Sequence, residues 1–391
     1  MFDYRLAKET DDYFNIMKFS FSLKKNLWDV FKDRSAKFFN DPNRELYGAY
    51  FNDEMIAEYL LISFDMKLRD SVIPVGGISN VCTSPLYRER GAIKFLLENS
   101  LITMKNKNQP VSLLYPFDVE FYRKYGWEVF DSLLRLKLSP GSIRKIADNE
   151  KIQIVSVDEA DEQIRNFYNS YAKDHYSMIL KDNCIWNEES KFWTGEDIAK
   201  KYVKFYSDNE LKGILRYVFV SDKNSGSALY ITFFITENDE IEKSMWNFLR
   251  KLSLQIKDFN MFLPLDYVVW PYIFGNPIEM KIEQRSMIRI VDMMGLNGLK
   301  VNHDNISLNI KVDDPQAEWN TGIFNISIKE NILKISRTDT SDLECNINTL
   351  SAIIGGRTDF KEMIKAGRVK IIGNYNGQDI SKSLPFVLQG F

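Results

Sequence analysis

Apolar and polar positions follow two rhythms along the first third of the chain. Leu46–Phe51 and Ile56–Phe64 are rich in β-formers and are separated by Asn52-Asp53-Glu54, which predicts two strands joined as a hairpin. Val75–Cys82, built of small and β-branched residues, predicts a further strand that stops at Thr83-Ser84-Pro85. In Gly91–Lys105 the period changes. Ile93, Leu97, Leu101 and Met104 fall on one face of a helix of about four turns. A short strand at Val111–Tyr115, a short helix at Val119–Tyr125 and a strand at Trp127–Leu138 complete the stretch, and Asp11–Phe39 ahead of it carries helical spacing that predicts two short helices. Strands alternating with helices indicate an α/β fold of mixed sheets.

Leu138-Ser139-Pro140-Gly141 is a turn-rich break. Beyond it a helix at Glu162–Lys173, strands at Leu215–Val220 and Ala228–Ile235, a helix at Ile241–Ile256 and a strand near Phe262–Trp270 repeat the order of the first third. The repetition reads as a degenerate duplication. Gly275-Asn276-Pro277 marks a second break, after which Arg285–Asp292 leads into the last third. There we expect strands at Ile306–Val312, Gly322–Lys329, Ile332–Arg337 and Val369–Ile372, with helices at Asn346–Ile354 and Thr358–Ala366. The expected domains are residues 1–137, 138–284 and 285–391.

Composition narrows the chemistry. Fifty-one Lys and Arg against 54 Asp and Glu give a net charge of −3, whereas a nucleic-acid binder carries a strong basic excess. Two histidines (His175, His303) and three cysteines (Cys82, Cys184, Cys345) are too scattered for a His/Cys metal site or a disulfide framework. The expectation is therefore no metal. Met1–Asp12 holds four acids and no apolar core of a leader, and the longest apolar runs fall far short of the ~20 residues that span a bilayer. A soluble cytoplasmic protein without membrane or nucleic-acid partners is expected. Trp186, Trp193 and Trp270 read as core, and Trp28 with Phe19–Leu23 as lining for an acceptor.

The chain has no Gly-x-Ser-x-Gly elbow, Walker loop or Gly-x-Gly-x-x-Gly fingerprint. The informative stretch is Gly77-Ile78-Ser79-Asn80-Val81-Cys82-Thr83-Ser84-Pro85-Leu86-Tyr87-Arg88-Glu89-Arg90-Gly91-Ala92-Ile93: strand, Pro-stopped turn, then Arg-x-x-Gly opening a helix. Helix-start N–H groups backed by the helix dipole suit a pyrophosphate, and Arg88 and Arg90 add positive charge. From spacing alone, a plain strand–turn–helix with a surface basic pair is an equal reading. Downstream stands Phe121-Tyr122-Arg123-Lys124-Tyr125-Gly126-Trp127.

This pair of motifs resembles the GCN5-related N-acetyltransferases (GNAT). The three-part plan resembles the Eis (enhanced intracellular survival) acetyltransferases: a GNAT domain, a motif-free GNAT-like domain, and a last third in which Ala366-Gly367-Arg368-Val369-Lys370-Ile371-Ile372-Gly373 looks like sterol carrier protein. The resemblance implies tandem GNAT folds followed by a sterol-carrier-like α+β domain, and direct acetyl transfer from acetyl-CoA to a primary amine on a small molecule or peptide. It places acetyl-CoA on Val81, Cys82 and Thr83 and on Arg88, Glu89, Arg90, Gly91, Ala92 and Ile93. Tyr122 becomes general acid and the α-carboxylate of Phe391 general base. It also implies a homo-oligomer, a hexamer in the family. The family's small residue two places after the glycine is here Ile93, and the acidic residue before the final aromatic is here Gly390, which weakens transfer of aminoglycoside acceptors relative to lysine or polyamine-like ones. Alternatives are a lipid-binding protein with a vestigial GNAT half, or a relative using another acyl donor. Cys82 reads as core rather than nucleophile.

Overall fold

The computed structural model describes residues 2–7, 16–18, 41–147, 151–175, 177–186, 198–222, 226–252, 256–303 and 305–388. The expected helices of Asp11–Phe39 lie almost wholly outside these, as do Trp28, Phe19–Leu23, Trp193 and Phe391. In chain order the first third holds β1 (Asp3–Leu6), β2 (Arg44–Phe51), β3 (Glu54–Leu68), β4 (Ser71–Thr83), α1 (Ala92–Asn106), β5 (Val111–Leu114), α2 (Val119–Arg123) and β6 (Glu128–Val129). The middle holds β7 (Ser132–Leu138), β8 (Gln153–Val157), α3 (Glu162–Asp174), β9 (Ile198–Ser207), β10 (Glu210–Asp222), β11 (Gly226–Thr236), α4 (Asp239–Lys251), β12 (Asp258–Leu263) and β13 (Glu279–Gln284). The last part holds β14 (Met287–Ile290), β15 (Ile306–Asp313), β16 (Gly322–Lys329), β17 (Ile332–Arg337), β18 (Leu343–Asn346), α5 (Ile347–Ile354), α6 (Phe360–Lys365) and β19 (Lys370–Ile371).

These strands form three mixed sheets, ordered β1-β2-β3-β4-β5-β14-β6, β8-β9-β10-β11-β12-β7-β13 and β17-β16-β15-β18-β19. The first two have the same order and the same strand senses. Each is antiparallel except for one central parallel pair, β4 with β5 and β11 with β12, and each parallel pair is bridged by a helix, α1 or α4. The second sheet is thus a repeat of the first. The sixth strand of each is out of chain order: β14, which follows the whole second sheet in sequence, enters the first sheet, and β7, which precedes β8, lies between β12 and β13 in the second.

The strand expected at Trp127–Leu138 is therefore two strands in two sheets. Between them the Phe130 N–H donates to Ser286 O (2.9 Å), and Asp131 Oδ1 accepts the Ser286 N–H (2.7 Å). Residues up to Asp131 together with Arg285–Pro385 form one compact unit, and Ser132–Gln284 forms another. β7, at the end of the first expected domain, joins the second sheet, and Arg285–Asp292, expected to lead into the last third, supplies β14 to the first. Phe262–Trp270 is strand only to Leu263, because Pro264 lacks the N–H that a ladder needs. Trp186 is buried as expected, while Trp270 is half exposed.

Burial follows the patterns. The middle of β3, Met55–Ile62, is buried throughout, as a strand covered on both faces must be. β15 alternates, with Ile306, Leu308, Ile310 and Val312 inward. Along α1 the residues Ala92, Leu96, Leu97, Leu101 and Met104 are buried against the first sheet. Among the described residues no helix is long and apolar enough to cross a membrane, and no group of three metal-ligating side chains is found.

Candidate active site

The first sheet opens at its centre. β5 pairs with β4 only from Val75↔Val111 to Ile78↔Leu114, and then turns away through Tyr115-Pro116. β4 continues to Thr83, paired with β3 alone among the described strands. A bulge lies at the same place: Leu60 faces Ser79 and Glu58 faces Cys82, so Asn80 and Val81 stand opposite Tyr59, with Asn80 in the left-handed region at φ 51°. Val81, Cys82 and Thr83 thus form a strand end beside a gap. Among the described residues the Thr83 hydroxyl has no hydrogen-bond partner. The Cys82 thiol is buried and donates to Glu58 Oε1 at 3.1 Å, in keeping with core packing rather than an exposed nucleophile.

The chain then makes one 3-10 turn, Pro85–Tyr87, and exposes Arg88, Glu89, Arg90 and Gly91 before α1. Glu89 (φ 63°) and Gly91 (φ 83°) are both left-handed, and Gly91 is the N-cap. Among the described residues no side chain caps this helix start, and its first N–H groups have no intrahelical partner. A Cβ at Gly91 would meet nothing within 4 Å. Glycine is needed there for its backbone angle, and the space beside it is open to a ligand. Ala92 is buried and Ile93 half-buried, which is why the helix tolerates isoleucine where the family prefers a small residue. The Arg90 guanidinium lies over the Tyr87 ring, 5.2 Å from its centroid.

Tyr122 sits on α2, a five-residue helix too short to persist unaided. Asp118 caps it, Oδ1 accepting the Phe121 N–H at 2.8 Å. The Tyr122 ring is buried edge-on between Phe117, Phe121 and Trp127, in the core that also holds Ile78, Leu114 and Ala92, with Val81 and Ile93 packed against it. The fold thus brings the strand end, the helix start and Tyr122 into one neighbourhood. Burial pushes the phenol well above the ordinary tyrosine value, so it keeps its proton at neutral pH.

Two ionic clasps hold α2, the first part-exposed and the second buried, and sequence reading missed both. Arg123 donates from Nε (2.9 Å) and Nη2 (2.6 Å) to Glu128 Oε1, while Arg368, in the turn after α6, donates to Glu128 Oε2 at 2.8 Å. Burial raises the Glu128 carboxyl, but the two guanidiniums and the Val129 N–H outweigh it and hold it below the ordinary range. At the other end Arg289 donates from Nε to Tyr125 O (2.8 Å) and from Nη2 to Asp314 Oδ1 (2.6 Å), both side chains fully buried. Gly126 has φ 90°, and a Cβ on it would lie 2.7 Å from Arg289 Nε. The glycine of Phe-Tyr-x-x-x-Gly-Trp is therefore fixed by both backbone angle and space. The available signal was an arginine inside the apolar run Met287–Val291, and, for Glu58, a lone acid inside Met55–Ile62.

Comparison with known proteins follows the same division. The acetyltransferase (GNAT) domain model matches residues 4–130, and the sterol carrier protein domain model matches residues 289–382. An uncharacterized N-acetyltransferase of Streptomyces griseus is 20% identical over 197 residues, which is 46% of this chain and 47% of that protein. The matched region thus spans about half the length of such curated relatives. A GCN5-related N-acetyltransferase from Anabaena variabilis superposes with a TM-score of 0.88 at 17% identity, covering 100% of both chains. Eis1 from Mycobacterium abscessus superposes with a TM-score of 0.80 at 16% identity, again over 100% of both. At these identities the likeness is one of fold. The chain therefore carries a match to the acetyltransferase (GNAT) domain at residues 4–130 and to the sterol carrier protein domain at residues 289–382, and it shares its overall fold with these solved structures.

Proposed function

We propose that the protein is an acetyl-CoA-dependent N-acetyltransferase that acetylates a primary amine. The observation that carries this reading is the uncapped start of α1 at Gly91, which follows directly on a strand that outruns its neighbour, with a buried phenol in the same core. Val81–Thr83 would hold the amides of the pantetheine arm, and the N–H groups of residues 88–93 with Arg88 and Arg90 the pyrophosphate. Bound acetyl-CoA supplies an electrophilic thioester. The chain's own part is to hold the amine in line with it, to place a backbone N–H near Val81–Cys82 against the developing oxyanion, and to deliver the Tyr122 proton to the leaving thiolate. The acceptor class fitting this reading is a small or peptide primary amine: an aminoglycoside, a lysine or a polyamine-like molecule. The same reading carries a cytoplasmic homo-oligomer.

The test of the cofactor loop is Gly91→Asp. A side chain at φ 83° strains the cap, and the carboxylate would enter the open space and repel a pyrophosphate. Calorimetric titration should show acetyl-CoA affinity reduced at least ~10-fold, as expected when like charges meet at a helix start. Unchanged affinity would remove this loop from the site.

For the base, the proposal is the α-carboxylate of Phe391. A second reading is favoured by one observation: Glu58 is a fully buried carboxylate at the bulge, beside the strand end at Cys82. The two separate cleanly. If Phe391 is the base, one glycine appended after it abolishes turnover while acetyl-CoA still binds, and Glu58→Gln leaves the pH profile's acid limb in place. Loss of that limb in Glu58→Gln, with an active extended chain, assigns the role to Glu58.

A further inference from the structure

The repeat of the fold in the second unit locates a second slot. β11 pairs with β12 only from Ala228↔Asp258 to Ile231↔Met261, then continues to Thr236. A bulge follows at once: Tyr217 faces Ile231 and Arg216 faces Phe233, leaving Thr232 extra. These are the features of the β4 end, where pairing with β5 stops at Ile78, a bulge follows, and Glu58 faces Cys82. Phe233 therefore stands at the place of Cys82, and buried Arg216 at that of Glu58.

This stretch of β11 borders an apolar core. Phe233 and Ile235, on β11 past the point of divergence, share one core with Ile164, Tyr168 and Ala172 of α3, with Trp186, and with Phe386 and Leu388. Phe386 is 4% exposed, Val387 0% and Leu388 6%. Residues 386–388 lie outside the helices and strands with their side chains buried, and Ser381–Leu384 just ahead of them are exposed. The slot wall is aromatic. Tyr168, Trp186 and Phe233 meet edge-to-face or tilted at 5.3–6.0 Å, and Lys181 Nζ lies 4.4–4.8 Å from the three ring centroids.

We propose that the second GNAT-like fold is a peptide-binding module whose ligand is the chain's own segment around Phe386 and Leu388, bound where the first copy has its catalytic slot. The ligand class is a linear peptide with two apolar anchors one residue apart. Docking in cis is favoured by the high effective concentration that a covalent link confers. The slot itself does not depend on the reading of Phe391 as base; the activity arm of the test below does.

The test uses the full chain ended after Pro385 and a synthetic peptide of residues 384–391. Saturable binding, read by tryptophan fluorescence, is expected for the shortened chain and not for the full chain, whose slot is occupied. A peptide carrying Phe386→Ala and Leu388→Ala should bind at least about 30-fold more weakly. A folded shortened chain that binds no peptide up to millimolar concentration, or equal binding by the full chain, would overturn the proposal. Should the shortened chain not fold, a protease site placed between Ser383 and Leu384 allows folding first and cleavage afterwards. Exchange of the cut segment with labelled peptide supports the slot, and failure to exchange overturns it. Peptide that binds without restoring turnover leaves the slot standing and removes Phe391 from catalysis.

Discussion

Tyr122→Phe should lower kcat by about 10²–10⁴-fold, the usual worth of a general acid, while acetyl-CoA binds as before. The ring stays, so the packing against Phe117, Phe121 and Trp127 is preserved and only the hydroxyl is lost. Because burial raises the phenol above the ordinary tyrosine value, the group is protonated throughout the neutral range, and its loss appears as a uniform drop there rather than a shifted optimum. Tyr125→Phe is the control. That ring is half-buried and its backbone carbonyl, not its hydroxyl, is what Arg289 holds. Steady-state rates with direct measurement of cofactor binding decide the matter: a kcat within twofold of wild type would mean that Tyr122 only packs.

The second large effect is on stability. Asp314→Asn leaves the Arg289 guanidinium buried against Tyr125 O, Ile290 O and a neutral amide, having lost its carboxylate. Breaking a buried pair from one side costs about 3–5 kcal/mol. The burial that already pulls the Arg289 pKa down would then act unopposed by Asp314. Chemical denaturation should show a midpoint shift of that size. The paired replacement Arg289→Met with Asp314→Leu should cost less than the two single changes together, because no charge is then stranded. A loss below ~1 kcal/mol in Asp314→Asn would show that the clasp is not a buried charge pair in solution.

The parts legible in the sequence were those carried by local pattern. The β2–β3 hairpin, the helix beginning after Gly91 and the strand–helix repeat of the middle third follow from period, turn residues and spacing. What the pattern could not give was which sheet a strand joins. Ser132–Leu138 reads as the end of one strand begun at Trp127 and Arg285–Asp292 as a lead into the last third, and nothing in their periodicity says that the one joins the second sheet and the other the first. β8 and β9 escaped because their exposed or charged positions, such as Lys200, Lys201 and Lys204, interrupt the apolar run. The candidate site was legible at Arg88-x-x-Gly91 and Tyr122 because glycines at positive φ and a motif aromatic leave a mark in the sequence. Glu58 left only a lone acid inside an apolar run, and Glu128 and Asp314 left nothing, since a buried acid is meaningful only once its partner, distant in sequence, is known.

The central claim is that amines receive an acetyl group from acetyl-CoA on this chain. It is tested most directly by offering lysine peptides, polyamines and aminoglycosides with acetyl-CoA and following free thiol release. The account predicts release that requires an amine, yields the acetylated amine in equal amount, and is lost in Gly91→Asp. A purified protein that binds acetyl-CoA in no detectable amount and releases no thiol with any amine, yet retains a bound fatty acid, would contradict it and point to a lipid-binding protein instead.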